Sequence, residues 1–320
     1  MQPLLLNFKD QNLTEFPAIL RENRQITNLN LDNNKLSSIP TWLPELTNLK
    51  VLYLNNNQID NIEVLMKLPN LEVLHLNKNQ IHFIPDGIAD LTQLKSLFIN
   101  DNNLTALPDT ICNLPQLLKL FAAENELTNI PLRIGQLTQL EVLNLFDNKI
   151  ISIPESIGLL TSLTYLQLSQ NRISQLPETI GNLQSITTLA IFSNTLTDLP
   201  PQLSQLEKLN SLNIADNDIT RIENIPAGVR RLSIYANPVD YIDPSIVARF
   251  TKTYRGQLEY LFTDSVQAND LNLDKDKLGR YLKITDLSAR LIHWFDEKDM
   301  PAELIKRWEL KRIEMISKNF

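Results

Sequence analysis

The chain has 320 residues, 43% of them hydrophobic, with seven glycines, one cysteine and a net charge of −7. That length can bury a large core or build two domains. The acidic balance removes a global basic field for nucleic acid, the shortage of glycine argues against a glycine-cradled nucleotide site, and the single Cys112 excludes an intrachain disulfide, which fits a reducing compartment.

In chain order, "MQPLLLNFKD" lacks a basic leader region, so it does not read as a signal peptide. No apolar run reaches membrane-spanning length. From residue 3 onward one pattern dominates, L-x-x-L-x-L-x-x-N-x-L. Full copies begin at Ile26, Leu49, Leu71, Leu94, Leu117, Leu140, Leu163, Ile186, Leu209 and Val229, at steps of 23 residues broken by one of 22 and a last one of 20. An imperfect copy, "PLLLNFKDQNL", opens at Pro3 with Gln11 in place of the asparagine. That makes eleven units, the first degenerate.

Each slot has a physical reading. The fourth and sixth positions alternate inward on a short strand. Neighbouring strands pair in parallel over one continuous core. Asparagine at the ninth position, from Asn34 to Asn237, is predicted to bond backbone groups of its own and the adjacent unit where the strand ends. Proline at the fifteenth position (Pro17, Pro40, Pro85, Pro108, Pro131, Pro154, Pro177, Pro200) starts a short helical turn on the return segment. Three units carry Glu63, Glu223 and Asp243 there instead. The first of these is the 22-residue unit, where a local irregularity in curvature is expected. The first copy is the N-terminal cap, although Leu4 and Leu5 give it no obvious polar side.

The ten near-perfect copies resemble the leucine-rich repeat family, over residues 3 to about 242. The variable segments look like its 23-residue, proline-containing class, found in cytosolic scaffolds and bacterial proteins. The resemblance implies an α/β fold: a right-handed solenoid, or horseshoe, with a concave parallel β-sheet over residues 1–242. It implies a location that is cytoplasmic, or inside a host cell after delivery without a signal peptide.

After Ile242 the pattern stops. "PSIVARFTKTYRGQLEYLF" carries Ile246, Phe250, Tyr254, Leu258 and Leu261 at helical spacing, with Asp243 as N-cap and Pro244 as first helical residue. Further helices are predicted over "DLNLDKDKLGRYLKI", from Thr285, and from Pro301. Residues 245–320 hold 14 Lys and Arg against 12 Asp and Glu, leaving 16 against 25 for the rest, so the acidity belongs to the repeats. Residues 243–320 therefore read as an α-helical C-terminal cap or a small helical module. Trp294, Phe295 and Trp308 are its core or an interaction surface. Lys306, Arg307, Lys311 and Arg312 are interleaved with acids as a solvated face.

A search for catalytic chemistry finds no phosphate-binding G-x-x-x-x-G-K-[ST] loop and no H-E-x-x-H. There are three histidines: His75, His82 and His293. Cys112 falls on a return segment. Asp270, Asn272 and Asp274 imitate a calcium loop, but Lys275 and Tyr281 replace its glycine and bidentate glutamate. No catalytic residue, metal or cofactor is expected.

The outward strand positions carry a different signal. The fifth position reads Tyr53, His75, Phe98 and Phe121 in four successive units, about 14 Å at a strand spacing of about 4.8 Å. Phe146 and Phe192, at the seventh position, extend the block, and Tyr165 and Tyr235 reach further. The eighth position adds Asp101, Glu124 and Asp147. Like charges on adjacent strands are destabilising, and the fifth slot is polar in other units, so the sequence suggests that the fold itself requires neither feature. Exposed aromatics mark interaction sites. The expected function is a protein-interaction module binding, on its concave face, a protein or peptide with an apolar anchor and basic flanks, with no nucleic-acid or membrane partner. The alternative, by likeness of layout, is a bacterial effector whose repeats select a target and whose helical tail acts as a ubiquitin-ligase-like module. The tail has no cysteine, so such a module would work without a thioester.

Overall fold

The computed structural model of the chain describes residues 4–234 and 236–246. Eleven short strands, one per unit, pair in parallel in chain order. The first is Leu4–Asn7 and the second Ile26–Asn30; from Val51–Tyr53 to Arg231–Ser233 each has three residues. Register is direct: Leu52 faces Leu74, Leu74 faces Leu97, and Leu97 faces Leu120. Equal positions of successive units therefore lie side by side, and each slot of the repeat becomes a row running across the sheet.

Seven apolar residues per unit point inward. In the unit that begins at Leu94 they are Leu94, Leu97, Ile99, Leu104, Leu107, Ile111 and Leu114, all buried. Each rests on the equivalent residues of its neighbours, because one unit alone is too thin to remove its side chains from water. The ninth-position asparagines bond as the pattern predicted. Asn57 Nδ2 donates to the carbonyls of Leu54 and, in the preceding unit, Leu31, both at 3.1 Å, while its Oδ1 accepts from the Leu36 N–H at 3.0 Å. The same arrangement recurs through Asn237, whose Nδ2 reaches Ile214 and Ile234 and whose Oδ1 accepts from Ile219.

The prolines stand just outside the turns they start. Pro85, Pro108, Pro154, Pro177 and Pro200 each precede a five-residue 3₁₀ helix, and the Pro85 carbonyl accepts from the Ile88 N–H at 2.9 Å. Five residues leave room for i→i+3 bonds and little more, so the turns stay 3₁₀. They stack closely. A Cβ on Gly158 would lie 2.4 Å from the Thr179 carbonyl oxygen, and Gly135 and Gly181 are equally confined. In the last two units, which lack the proline, Arg221–Ile222 and Tyr241–Ile242 pair as a small second parallel sheet, with the Arg221 guanidinium 4.2 Å from the centre of the Tyr241 ring.

The 22-residue unit leaves the main sheet undisturbed, since Val51, Leu52 and Tyr53 face Val73, Leu74 and His75 without a shift. Its missing residue falls in the return segment. A depression of about 350 Å³, lined by Ile39, Asp60, Glu63 and Val64 among others, opens there. At the N-terminus Leu4 is 38% and Leu5 59% exposed, so the first strand covers the core without a polar outer side. Asp243 caps a helix start at Pro244: its carboxylate accepts from the Ser245 N–H at 2.7 Å and its carbonyl from Ile246 at 2.9 Å. The helices expected beyond residue 246, with Trp294, Phe295, Trp308 and the basic run, lie outside the described residues.

Candidate functional site

The four fifth-position rings form one column on the outward face of the sheet. Tyr53 and His75 stack at 4.6 Å and 22°, His75 and Phe98 at 4.1 Å and 5°, Phe98 and Phe121 at 4.8 Å and 13°. Direct register brings the rings to strand spacing and their planes nearly parallel. The sequence placed them in open water; stacking instead leaves each half-buried. Burial pushes His75 down to about 4, so its ring is neutral at pH 7. Phe146 and Phe192 sit further along, 6.1 Å apart and tilted by 49°. They belong to units separated by one, and the seventh-position residue between them, Ser169, is fully buried. Phe192 is buried, while Phe146 and Tyr165 are partly exposed. Tyr235 lies outside the described residues.

The asparagines and the glutamine at the fifth slot have a backbone duty that the sequence pattern did not reveal. Asn30 Oδ1 accepts from the Asp32 N–H at 2.9 Å, Asn144 Oδ1 from Phe146 at 3.0 Å, Gln167 Oε1 from Ser169 at 2.9 Å, and Asn213 Oδ1 from Ala215 at 3.2 Å. In each case the fifth side chain caps the seventh N–H of its own unit. In the aromatic units that N–H is capped from the preceding unit: Asp32 Oδ1 takes Asn55 N–H at 2.7 Å, Asn55 takes Asn77 at 2.9 Å, Asn77 takes Asn100 at 2.8 Å, and Asn100 takes Ala123 at 2.8 Å. Ser169 Oγ does the same for Phe192, in the unit whose fifth residue is Ala190. The seventh N–H thus has an acceptor from one of two places, and a fifth residue without an acceptor occurs where the preceding seventh residue supplies one. Asp32, Asn55, Asn77 and Asn100 are the site residues that sequence reasoning missed. Their signal was present, as polar residues in the seventh column of four successive units. Burial pushes the Asp32 carboxyl up, opposed by its bonds to Asn55.

The eighth position also has a backbone reason. Asp10, Asn33, Asn56, Lys78, Asp101, Glu124, Asp147, Gln170, Ser193, Asp216 and Ala236 all have φ between 49° and 61°. This left-handed region favours Asn and Asp among residues with a side chain. Asp101, Glu124 and Asp147 stand beyond the ends of their strands, at Phe98, Phe121 and Asn144, rather than opposite one another within the sheet. Local conformation therefore accounts for much of the Asp101 and Asp147 choice; Lys78 and Ala236 show that the slot does not demand acid. At the second position Glu72 bridges Lys50 at 2.7 Å and Lys95 at 2.8 Å, and Lys50 and Lys95 hold its carboxyl below the usual range. Cys112 is buried beneath a return turn, and burial pushes its thiol up to about 11, which leaves no thiolate for nucleophilic work. Among the described residues no group of three His, Cys, Asp or Glu could hold a metal ion, and no helix is long and apolar enough to cross a membrane.

The sequence matches the leucine-rich repeat region family over residues 56–161 and 151–235, and the leucine-rich repeat family over residues 24–81. The chain belongs to the leucine-rich repeat proteins. Solved structures agree with the sheet and turns described above. The ectodomain of the Arabidopsis thaliana receptor kinase GASSHO1/SCHENGEN3, in complex with Casparian strip integrity factor 2, is 28% identical with a TM-score of 0.64, over 74% of this chain and 33% of that one. A leucine-rich repeat protein of Leptospira interrogans is 29% identical with a TM-score of 0.56, over 75% of this chain and 74% of that one. The Arabidopsis receptor kinase HAESA ectodomain, in complex with an extended IDA peptide hormone ligand, is 30% identical with a TM-score of 0.62, over 69% of this chain and 40% of that one. The alignment thus covers about a third of the first ectodomain. No curated protein matches the sequence.

Proposed function

We propose that this leucine-rich repeat protein is an interaction module whose outward sheet face, from Tyr53 to Phe146, receives a protein or peptide segment with an apolar anchor. The observation that carries this reading is the capping exchange. In four successive units a side chain of the preceding unit takes over the backbone duty of the fifth slot, and those four slots are filled with half-exposed rings. A slot relieved of structural work and filled with an aromatic is free to serve contact. Val51 and Val73, at the third position of the first two of these strands, and Val142, on the strand that follows the four, are partly exposed and widen the apolar area. Asp101, Glu124 and Asp147 along one border favour basic flanks on the partner. One structural neighbour holds a peptide hormone ligand and another is in complex with Casparian strip integrity factor 2, which supports a peptide-sized partner.

Peptides selected from a random display library on the full chain test the reading. Phe98→Ala or Phe121→Ala should weaken their binding by about 2 kcal/mol, roughly 30-fold, with the array still folded. Unchanged affinity with both variants would remove the face from consideration. The ubiquitin-ligase-like alternative concerns residues 243–320, nearly all outside the described residues, and no observation favours it.

A further inference from the structure

The seventh-position row has a second consequence, which rests on the binding reading and specifies the partner's chemistry. Asn55, Asn77 and Asn100 each commit Oδ1 to the N–H of the next unit. An amide held by its oxygen has its orientation fixed, so Nδ2 is turned away from that bond. Among the described residues nothing accepts a hydrogen bond from these three Nδ2 groups. The ninth-position asparagines are the contrast: Asn57 Nδ2 is bonded to the carbonyls of Leu31, Leu54 and Asn55. The three seventh-position side chains are partly exposed on the same face as the rings. They repeat at about 4.8 Å and run beside the aromatic column, two residues past the strand ends, about 6.6 Å of extended chain.

The rings themselves offer the same polarity. Stacked within 4.1–4.8 Å of one another, they hide their faces and turn their edges outward. A ring edge carries positive partial charge and a ring face negative. A cation or a sugar needs an open face, and only the two ends of the stack have one. Edges and amide donors together favour oxygen acceptors next to apolar groups.

We infer that Asn55, Asn77 and Asn100 form a donor row that binds backbone carbonyls of an extended peptide segment laid across the strands, its apolar side chains resting on the Tyr53–Phe121 stack. Three donors span about 10 Å, over which an extended segment turns about two carbonyls, roughly 6.6 Å apart, towards the row. The row has two roles on two atoms: Oδ1 caps the sheet and Nδ2 contacts the partner.

The two roles separate by substitution. Asp32 already caps Asn55 with a carboxylate oxygen. Asn77→Asp with Asn100→Asp therefore keeps both caps and exchanges each donor for an oxygen. Uncharged peptides selected on the full chain, and dependent on Phe98, are the probe. Two carboxylates in adjacent units repel, so the double variant should lose a few degrees in melting temperature, less than the alanine pair, and at least about tenfold in affinity. Asn77→Ala with Asn100→Ala should lose caps and donors alike. A second measurement leaves the protein unaltered: replacing one peptide bond at a time by an alkene removes a single carbonyl, and affinity should fall at the positions facing the row. Full affinity in the aspartate variant, or with every alkene peptide, while Phe98→Ala still abolishes binding, overturns the donor row and leaves the binding face standing. A library that yields no ligand dependent on Phe98 or Phe121 overturns both.

Discussion

Units three to six and units seven to nine share one backbone and one problem, which units three to six solve in one way and units seven and eight in the opposite way. In both stretches the seventh-position N–H emerges where the strand ends and requires an acceptor. Units three to six receive it from the preceding unit, through Asp32, Asn55, Asn77 and Asn100, and carry aromatics at the fifth slot. Units seven and eight supply it from their own fifth residues, Asn144 and Gln167. The seventh slot is then released, and Phe146 occupies it. Unit nine returns to the first solution through Ser169. The aromatic surface changes column at Ala123, the first seventh residue in the run with no acceptor on its side chain. The boundary of the patch is thus set by hydrogen bonding along the sheet.

Four sets of substitutions, from the largest expected effect to the smallest, break or sharpen that contrast. The ninth-position row is common to both stretches and should not distinguish them. Asn102→Ala strands the Ile81 N–H and takes one of two donors from the Leu76 and Ile99 carbonyls, which keep Asn79 and Asn125; Asn148→Ala strands the Leu127 N–H and takes one of two donors from Ala122 and Leu145, which keep Asn125 and Asn171. Each should cost about 3 kcal/mol or more in chemical denaturation; a large difference between them would mean that the stretches differ in more than their outward rows.

The exchange itself is tested next. Asn144→Phe removes the acceptor for Phe146 and should cost about 1–2 kcal/mol. Adding Ala123→Asn supplies the acceptor from the preceding unit and should recover most of that loss, extending the stack by one ring. No recovery in the double variant would break the rule.

The pH response of the stack comes third. His75 falls to about 4 in the folded chain from 6.5, because burial disfavours its charged form. Between those values the unfolded chain binds more protons, so this contribution is complete above about pH 6.5 and is lost as pH falls towards 4. Discounted for the solvent that reaches its edge, the difference between pH 7 and pH 5 is on the order of 1 kcal/mol. Melting curves of His75→Phe should lack that part of the acid sensitivity; identical pH profiles would place His75 outside the stack in solution.

The second position gives the smallest effect. In the first stretch Glu72 bridges Lys50 and Lys95, whereas in the second Thr164 and Thr187 donate to the carbonyls of Glu141 and Thr164 at 3.0 Å. Glu72→Gln should cost about 0.5 kcal/mol and less in high salt, while the cost of Thr164→Val should not depend on salt.

Periodicity alone determined the main frame of this protein: the number of strands, their parallel order, the inward leucines, the asparagine row and the proline-led turns. Each is a local rule repeated at a constant step, and a constant step in sequence becomes a constant step in space. The outward face followed different logic. Whether Asn144 is a capping group or Phe98 a free one depends on the residue 21 positions before, Ala123 or Asn77, across a strand pair. Taken one column at a time, the polar residues beside the aromatics say only that the fold does not need the aromatics. Only the register of the folded sheet joined the fifth column to the seventh of the preceding unit, because a hydrogen bond is decided by which atoms lie about 3 Å apart. The positive φ at the eighth position was hidden for a related reason. Asp, Glu, Lys, Gln, Ser and Ala all stand there, and what holds them in one conformation is the turn that carries each strand into the asparagine row.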